Sequence, residues 1–112
     1  MTGGVSLCRP RNGGSIQAAA GGSMEVMTRA PAVDLAPIRV NLVSPGATET
    51  ELMDAMARRM DGLEAARQVF RSMSIFGQIG RPEDVAESYL CCMKNNFVTG
   101  TVFHAEGGYL LK

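Results

Sequence analysis

The sequence has little of what marks several large classes of protein. It has only three cysteines, and because Cys91 and Cys92 are adjacent, neither a disulfide framework nor a Cys-x-x-Cys metal site is predicted. Basic and acidic residues balance at 11 each, which leaves no excess positive charge to attract nucleic acid or an anionic membrane. No apolar run approaches the roughly 18 residues that span a bilayer. We therefore expect a cytoplasmic protein without a metal site and without nucleic-acid or membrane partners.

The length and the composition favour one small domain. The chain has 112 residues, of which 46% are hydrophobic, an ordinary proportion for a globular fold. Its first 22 residues contain six glycines and one proline and show no hydrophobic periodicity. Such a segment buries too little apolar surface to offset the entropy lost on ordering. We predict that residues 1–22 are disordered and that residues 23–112 form the folded domain.

Two segments of residues 23–112 have the pattern of strands. Ile38–Val43 is rich in β-branched residues and lies between Pro37 and a Ser-Pro-Gly turn, which predicts a short buried strand. Val98–Ala105 has Val102 and Phe103 at its centre and is followed by two glycines, which predicts a second strand. Strands separated by helices are usually parallel neighbours in one sheet, so the fold class is predicted to be α/β.

Helices are predicted on both sides of the first strand. One begins at Ser23 and is kinked or stopped at Pro31, because proline removes one backbone hydrogen bond. Thr50 caps a helical pair that turns at Asp61–Gly62, and Pro82 opens the last helix. The apolar faces of these helices are predicted at Met24, Met27, Ala30 and Leu35, at Leu52, Met56 and Met60, at Leu63, Ala66, Phe70 and Met73, and at Val85, Tyr89, Cys92 and Met93.

Three segments carry a family resemblance: "RAPAVDLAPIRVNLVSPGATET", "GQIGRPEDVAE" and "FVTGTVFHAEGGYLL". Together, and in this order, they resemble the carboxyl-terminal half of a short-chain dehydrogenase/reductase, over about Gly22–Lys112. The resemblance implies a partial Rossmann-like, doubly wound fold with about two parallel strands and flanking helices. It also implies a family activity, the NAD(P)-dependent oxidoreduction of a carbonyl or hydroxyl group.

The catalytic pair of the family does not carry over to this chain. Family members have a Tyr-x-x-x-Lys pair just before the Gly-Ser-Met-Glu segment, which places the tyrosine at Gln17 and the lysine at Gly21. An amide cannot serve as a general acid or base near neutral pH, and glycine has no side chain to carry charge. The serine of the family is expected near Gly4–Ser6, but this segment does not resemble the usual strand, and Ser6 is not assigned. No catalytic residue is therefore predicted.

Part of the cofactor site is retained by resemblance. The family's glycine-rich Gly-x-x-x-Gly-x-Gly turn is absent from these 112 residues. The residual cofactor-binding positions are Pro45, Gly46, Thr48 and Thr50, of which the last two imply contacts to the nicotinamide carboxamide and to a cofactor phosphate. The residues themselves leave an alternative open, because a threonine at position 50 also suits a helix N-cap. We expect no NAD(P) binding by this chain alone.

Other candidate residues have structural alternatives. The stripe of Leu52, Met53, Met56 and Met60 suits an apolar substrate pocket and equally suits plain helix packing. His104 is read as structural, and Cys91 and Cys92 as small buried hydrophobes.

Three functions remain as hypotheses. The first is a truncated family member that is inactive alone, a pseudoenzyme. The second is an interaction or regulatory subunit that forms a homo- or hetero-oligomer with intact relatives through residues 82–112, a region that the resemblance implies to be a subunit interface. The third is an oxidoreductase that is completed by a second polypeptide.

Overall fold

The computed structural model describes residues 1–10, 12–58 and 62–112. These residues form α1 (Ser15–Asp34), β1 (Leu42–Pro45), α2 (Glu51–Ala57), α3 (Leu63–Met73), α4 (Pro82–Lys94) and β2 (Val102–Ala105). Short 3-10 turns lie at Val5–Leu7 and Tyr109–Leu111.

The sheet confirms the predicted α/β class. β1 and β2 are parallel neighbours, in a register that pairs Leu42 with Val102 and Pro45 with Ala105. The sequence did not predict a further neighbour on the other side of β1. Thr2 forms a parallel bridge with Val43, so the first residues of the chain extend the sheet by one short segment. We call Met1–Gly3 the edge segment.

The helices lie on both faces of this sheet. Met1 contacts α1 through its sulfur, which accepts a hydrogen bond from Thr28 Oγ1 at 3.8 Å. The neighbouring Thr2 contacts α4, where its hydroxyl is hydrogen-bonded to that of Tyr89. Because successive side chains of an extended segment point to opposite faces, α1 and α4 cover opposite faces of the sheet. The arrangement is the three-layer order of a doubly wound fold.

The core is concentrated at β1. Leu42, Val43 and Ser44 are buried, as expected for a strand with neighbours on both edges and helices on both faces. The other buried apolar residues lie in the turns and helices around it: Val5, Met53, Ala57, Ala66, Ile79 and Tyr109.

The prediction that residues 1–22 are irregular is wrong. Val5 is buried in a 3-10 turn, and α1 begins at Ser15, eight residues before the predicted start at Ser23. The run Ala18–Ala20 explains the early start, because alanine has the highest helix propensity and offsets the cost of the two glycines that follow. The helix also continues through Pro31 and ends only at Asp34. A proline this close to the end of a helix removes one hydrogen bond in a turn that is about to stop.

The strands are shorter than predicted. Ile38–Asn41 precedes β1 and is held by other contacts: Arg39 donates hydrogen bonds to the carbonyls of Cys92 and Val98 at 2.6 and 3.2 Å. The Asn41 amide donates to the Val98 carbonyl at 2.9 Å. These polar anchors fix the entry to the sheet, and regular pairing starts at Leu42.

The predicted apolar faces are partly wrong. In α2 the buried residues are Met53 and Ala57, whereas Leu52 and Met56 are exposed. In α4 Met93 is exposed, and so is Cys91. Met60 and Asp61, which belonged to the predicted stripe and turn, lie outside the described residues.

Candidate functional site

The Pro-Gly turn is held against the end of β2. The Gly46 amide donates to the Ala105 carbonyl at 3.0 Å, which extends the β1–β2 ladder by one bond. A Cβ atom at position 46 would lie 2.7 Å from Glu106 Cα, a distance that real Cβ atoms essentially never show. Only glycine therefore fits at this approach of two main chains. The requirement is structural and does not depend on a bound cofactor.

The loop after Gly46 is bonded to the segment before α4. Glu49 N donates to the Gly80 carbonyl at 2.9 Å, and Gly80 N donates to the Ala47 carbonyl at 3.0 Å, around a parallel bridge between Thr48 and Gly80. The Thr48 hydroxyl donates to the Gly46 carbonyl at 3.2 Å. The backbone of the loop is thus fixed by contacts within the chain.

Thr50 is the N-cap of α2. Its hydroxyl oxygen accepts from Met53 N at 3.4 Å and the hydroxyl donates to the Thr48 carbonyl at 3.4 Å. The N-cap interpretation of Thr50 is confirmed. Glu51 and Asp54 lie in the same first turn, where carboxylates suit the helix dipole but oppose a phosphate. The cofactor role of the four positions Pro45, Gly46, Thr48 and Thr50 stays a prediction.

Gln17 and Gly21 lie one helical turn apart in the first part of α1. Residues four apart share a helix face, which is the geometry that a Tyr-x-x-x-Lys pair requires. The scaffold for the pair is therefore present. Gln17 is exposed and Gly21 is half-buried, and neither supplies a group that can exchange a proton near neutral pH.

Two neighbouring residues do not replace this pair. Ser6 is exposed in the 3-10 turn before α1. Cys8 is also exposed, and desolvation of its thiol, together with the negative charge of Glu25, raises the pKa of Cys8 above its ordinary value. A raised pKa leaves less thiolate at neutral pH and so disfavours a nucleophile or base.

A cavity of about 570 Å³ lies where β2 ends and α4 begins. Its lining includes Phe76, Arg81, Asp84, His104 and Glu106. Arg81 donates to Asp84 from its main-chain and side-chain nitrogens, at distances that include 3.0 and 2.8 Å. The side-chain bond first, and then the backbone bond, hold the pKa of Asp84 below its ordinary value. This ion pair caps α4, as expected for a solvated helix start.

The described residues form neither a metal-binding cluster nor a membrane-spanning helix. Among residues 1–10, 12–58 and 62–112, no three His, Cys, Asp or Glu side chains cluster closely enough to hold a metal ion. In the same ranges no helix combines the length and hydrophobicity needed to cross a membrane.

A family model of SDR-like Rossmann domains matches residues 1–112. The chain belongs to the short-chain dehydrogenase/reductase family. A member of this family from Stachybotrys chlorohalonatus is 41% identical over 112 residues, which are the whole of this chain and 43% of the relative. MalC of Malbranchea aurantiaca, whose structure is that of a reductase/Diels–Alderase, is 42% identical. It superposes with a TM-score of 0.90 over 99% of this chain and 42% of its own.

A third relative has a structure in complex with NADPH. This small-chain dehydrogenase is 35% identical and superposes with a TM-score of 0.88, over 99% of this chain and 50% of its own. The chain thus spans less than half the length of the curated relatives it matches.

The side chains present do not make a complete site for NAD(P). The hydroxyls of Thr48 and Thr50 are directed to carbonyls of their own loop. Gly21 offers no ammonium group to a ribose. Sequence reasoning missed the edge segment, although the β-branched Thr2 and Val5 on either side of Gly3–Gly4 are a weak strand signal.

Proposed function

We propose that this chain is the carboxyl-terminal part of a short-chain dehydrogenase/reductase and that, alone, it neither binds NAD(P) nor transfers hydride. The observation that carries the proposal is the pair Gln17 and Gly21: by resemblance they stand where the family has its tyrosine and lysine, and neither can exchange a proton near neutral pH. Loss of a general acid or base typically lowers a rate by about 10²–10⁴. In this proposal the family reaction, NAD(P)-dependent oxidoreduction of a carbonyl or hydroxyl group, belongs to a complete enzyme.

The free thiols support a cytoplasmic location for this protein. Cys8 and Cys91 are exposed and Cys92 is half-buried, and all three are unpaired. Exposed unpaired thiols persist best in a reducing compartment.

The proposal is tested by NADPH oxidation with the purified chain. The chain is incubated with NADPH and a panel of aldehydes and ketones, beside an intact relative as the positive control. We expect no turnover above the protein-free rate. The double variant Gln17→Tyr/Gly21→Lys is expected to stay inactive as well, because a restored proton relay still has no hydride donor beside it. Turnover by the unmodified chain would overturn the proposal.

A second candidate function is docking on an intact relative through residues 82–112. The apolar residues at the end of α4 favour it: Phe97 is 99% and Met93 68% exposed. Large exposed apolar side chains at one place mark interaction surfaces. Size-exclusion chromatography of the chain mixed with a relative tests this function, and Phe97→Ser is expected to remove the complex.

A third candidate is an oxidoreductase completed by a second polypeptide. The loop from Pro45 to Thr50 favours this function, because contacts within the chain fix its backbone. Restored NADPH oxidation on mixing with the part of a relative that this chain does not match would support it.

A further inference from the structure

A second cavity lies between the loop that precedes α1, the end of α3 and the carboxyl-terminal turn. Its volume is about 290 Å³. It is lined by Arg9, Pro10, Ser72, Met73, Tyr109 and Lys112. Ligand sites range over about 300–1,000 Å³, so this cavity fits a small molecule and not a dinucleotide. None of the lining residues belongs to the cofactor positions of the Pro-Gly loop or to the methionine stripe of α2.

Arg9 is positioned in this cavity by two contacts with Tyr109. Its guanidinium carbon lies 5.1 Å from the centre of the Tyr109 ring, a cation–π contact, and Nη1 donates to the Tyr109 carbonyl at 3.0 Å. Because Tyr109 is buried, it is a firm support for the guanidinium. Nε and Nη2 donate to no group in the part of the chain that the structure describes. These two nitrogens form the edge of the guanidinium that matches the two oxygens of a carboxylate.

Lys112 brings a second positive charge to the same cavity. Its Nζ donates to the carbonyls of Ser72 and Ser74 at 2.6 and 2.9 Å. Its main-chain nitrogen donates at 3.4 Å to the Tyr109 carbonyl, the same oxygen that accepts from Arg9. An ammonium group has three N–H donors, so one remains for a ligand. Both cations are therefore held in place by main-chain carbonyls, and each keeps donors that can bind a further acceptor.

The charge of the cavity wall indicates what it binds. Among the described residues, the wall has no acidic side chain, and no carboxylate forms an ion pair with Arg9 or Lys112. A concave wall with charge of one sign concentrates ligands of the opposite charge. Pro10 and Met73 add apolar surface beside the two cations. We infer that the cavity binds a small organic acid, whose carboxylate lies between Arg9 and Lys112 and whose short apolar body contacts Pro10 and Met73.

The test is a titration of the purified chain with sodium pentanoate at constant ionic strength, followed by intrinsic fluorescence. The chain has no tryptophan and two tyrosines, so one of its two main fluorophores, Tyr109, lies in the cavity wall. Pentan-1-ol has the same apolar body without the charge, and inorganic phosphate has the charge without an apolar body. We expect saturable binding of pentanoate, no saturation with pentan-1-ol and weaker binding of phosphate. Tighter binding of either control than of pentanoate would overturn the inference.

Three glutamine variants locate the binding site. Arg9→Gln and Lys112→Gln each remove one charge and are each expected to weaken pentanoate binding about tenfold, because a charge-assisted hydrogen bond is lost. Lys94→Gln is the matched control, since Lys94 lies at the end of α4 and outside the cavity wall, and its affinity should be unchanged. Far-UV circular dichroism checks that each variant folds, and Lys112→Gln decides the question if Arg9→Gln does not. Equal affinities for Lys112→Gln and Lys94→Gln, or no saturation with the unmodified chain, would overturn the inference. The titration contains no NAD(P), so its result is independent of the proposed inactivity.

Discussion

Leu42–Thr50 and Ser15–Gly21 belong to the same α/β fold, yet they depend on their side chains in different ways. In the first segment the side chains hold the fold: Leu42 fills the core, Gly46 permits the contact with Glu106, and Thr50 caps α2. In the second the helix needs only backbone bonds and alanines, and Gln17 is exposed. Where the side chains of a segment do not hold the fold, they can be replaced without a change in its backbone structure.

The largest effect that separates the two segments is expected at the core. Leu42 is fully buried, and Leu42→Ala removes its side chain from the core. Such substitutions lower the free energy of unfolding by about 2–5 kcal/mol. Ile16→Ala in α1 is the control, because Ile16 is exposed and surface changes stay within about 0.5 kcal/mol. Urea unfolding followed by circular dichroism measures both, and similar losses would remove the contrast.

The second largest loss of stability is expected at the Pro-Gly turn. Gly46→Ala places a methyl group 2.7 Å from Glu106 Cα, where main chain must shift to make room. Overpacking of this kind costs about 1–3 kcal/mol. Gly4→Ala is the matched control, because Gly4 has an extended backbone with φ −170° and no heavy atom within 4 Å of an added Cβ. The difference in urea midpoint between the two variants measures the effect, and a Gly46→Ala protein as stable as Gly4→Ala would contradict the close approach.

Substitution of Thr50 is expected to cause a smaller loss of stability. Thr50→Ala removes the acceptor for Met53 N and is expected to lower the free energy of unfolding by about 0.5–2 kcal/mol. Thr50→Ser keeps the hydroxyl and should retain most of that stability. Thermal unfolding of the three proteins without cofactor measures this, and no loss in Thr50→Ala would mean that the hydroxyl serves only a ligand.

The smallest expected effect is a change with pH in the stability that Asp84 contributes. Hydrogen bonds from Arg81 lower the pKa of Asp84, so the folded state binds a proton less readily than the unfolded state. The stability that this carboxylate adds is complete above the ordinary aspartate pKa and is lost as the pH falls through the lowered value. The difference in melting temperature between the unmodified chain and Asp84→Asn should therefore shrink between pH 7 and pH 3. A constant difference for Asp84→Asn would contradict the linkage.

Some features of the fold could be predicted from local sequence signals, and others could not. The two strands, the cap at Thr50 and the helix start at Pro82 follow from local signals, namely β-branched runs, turn residues, a capping residue and a proline at the first helical position. The edge segment depends on pairing with Val43, about 40 positions away, and the local strand signal there is weak. The buried face of α2 is set at Met53 and Ala57 by its neighbours, and the more hydrophobic Leu52 remains exposed. Tertiary contacts decided the features that local patterns missed.

The central claim is that the chain keeps the fold of its family without a working cofactor site. Titration calorimetry of the isolated 112-residue chain with NADPH and with NADH tests this most directly, since it needs neither a substrate nor a partner. The unmodified chain and Gln17→Tyr/Gly21→Lys are each titrated to millimolar cofactor. The account predicts only heats of dilution for both proteins, and saturable binding of either cofactor to the unmodified chain would contradict it.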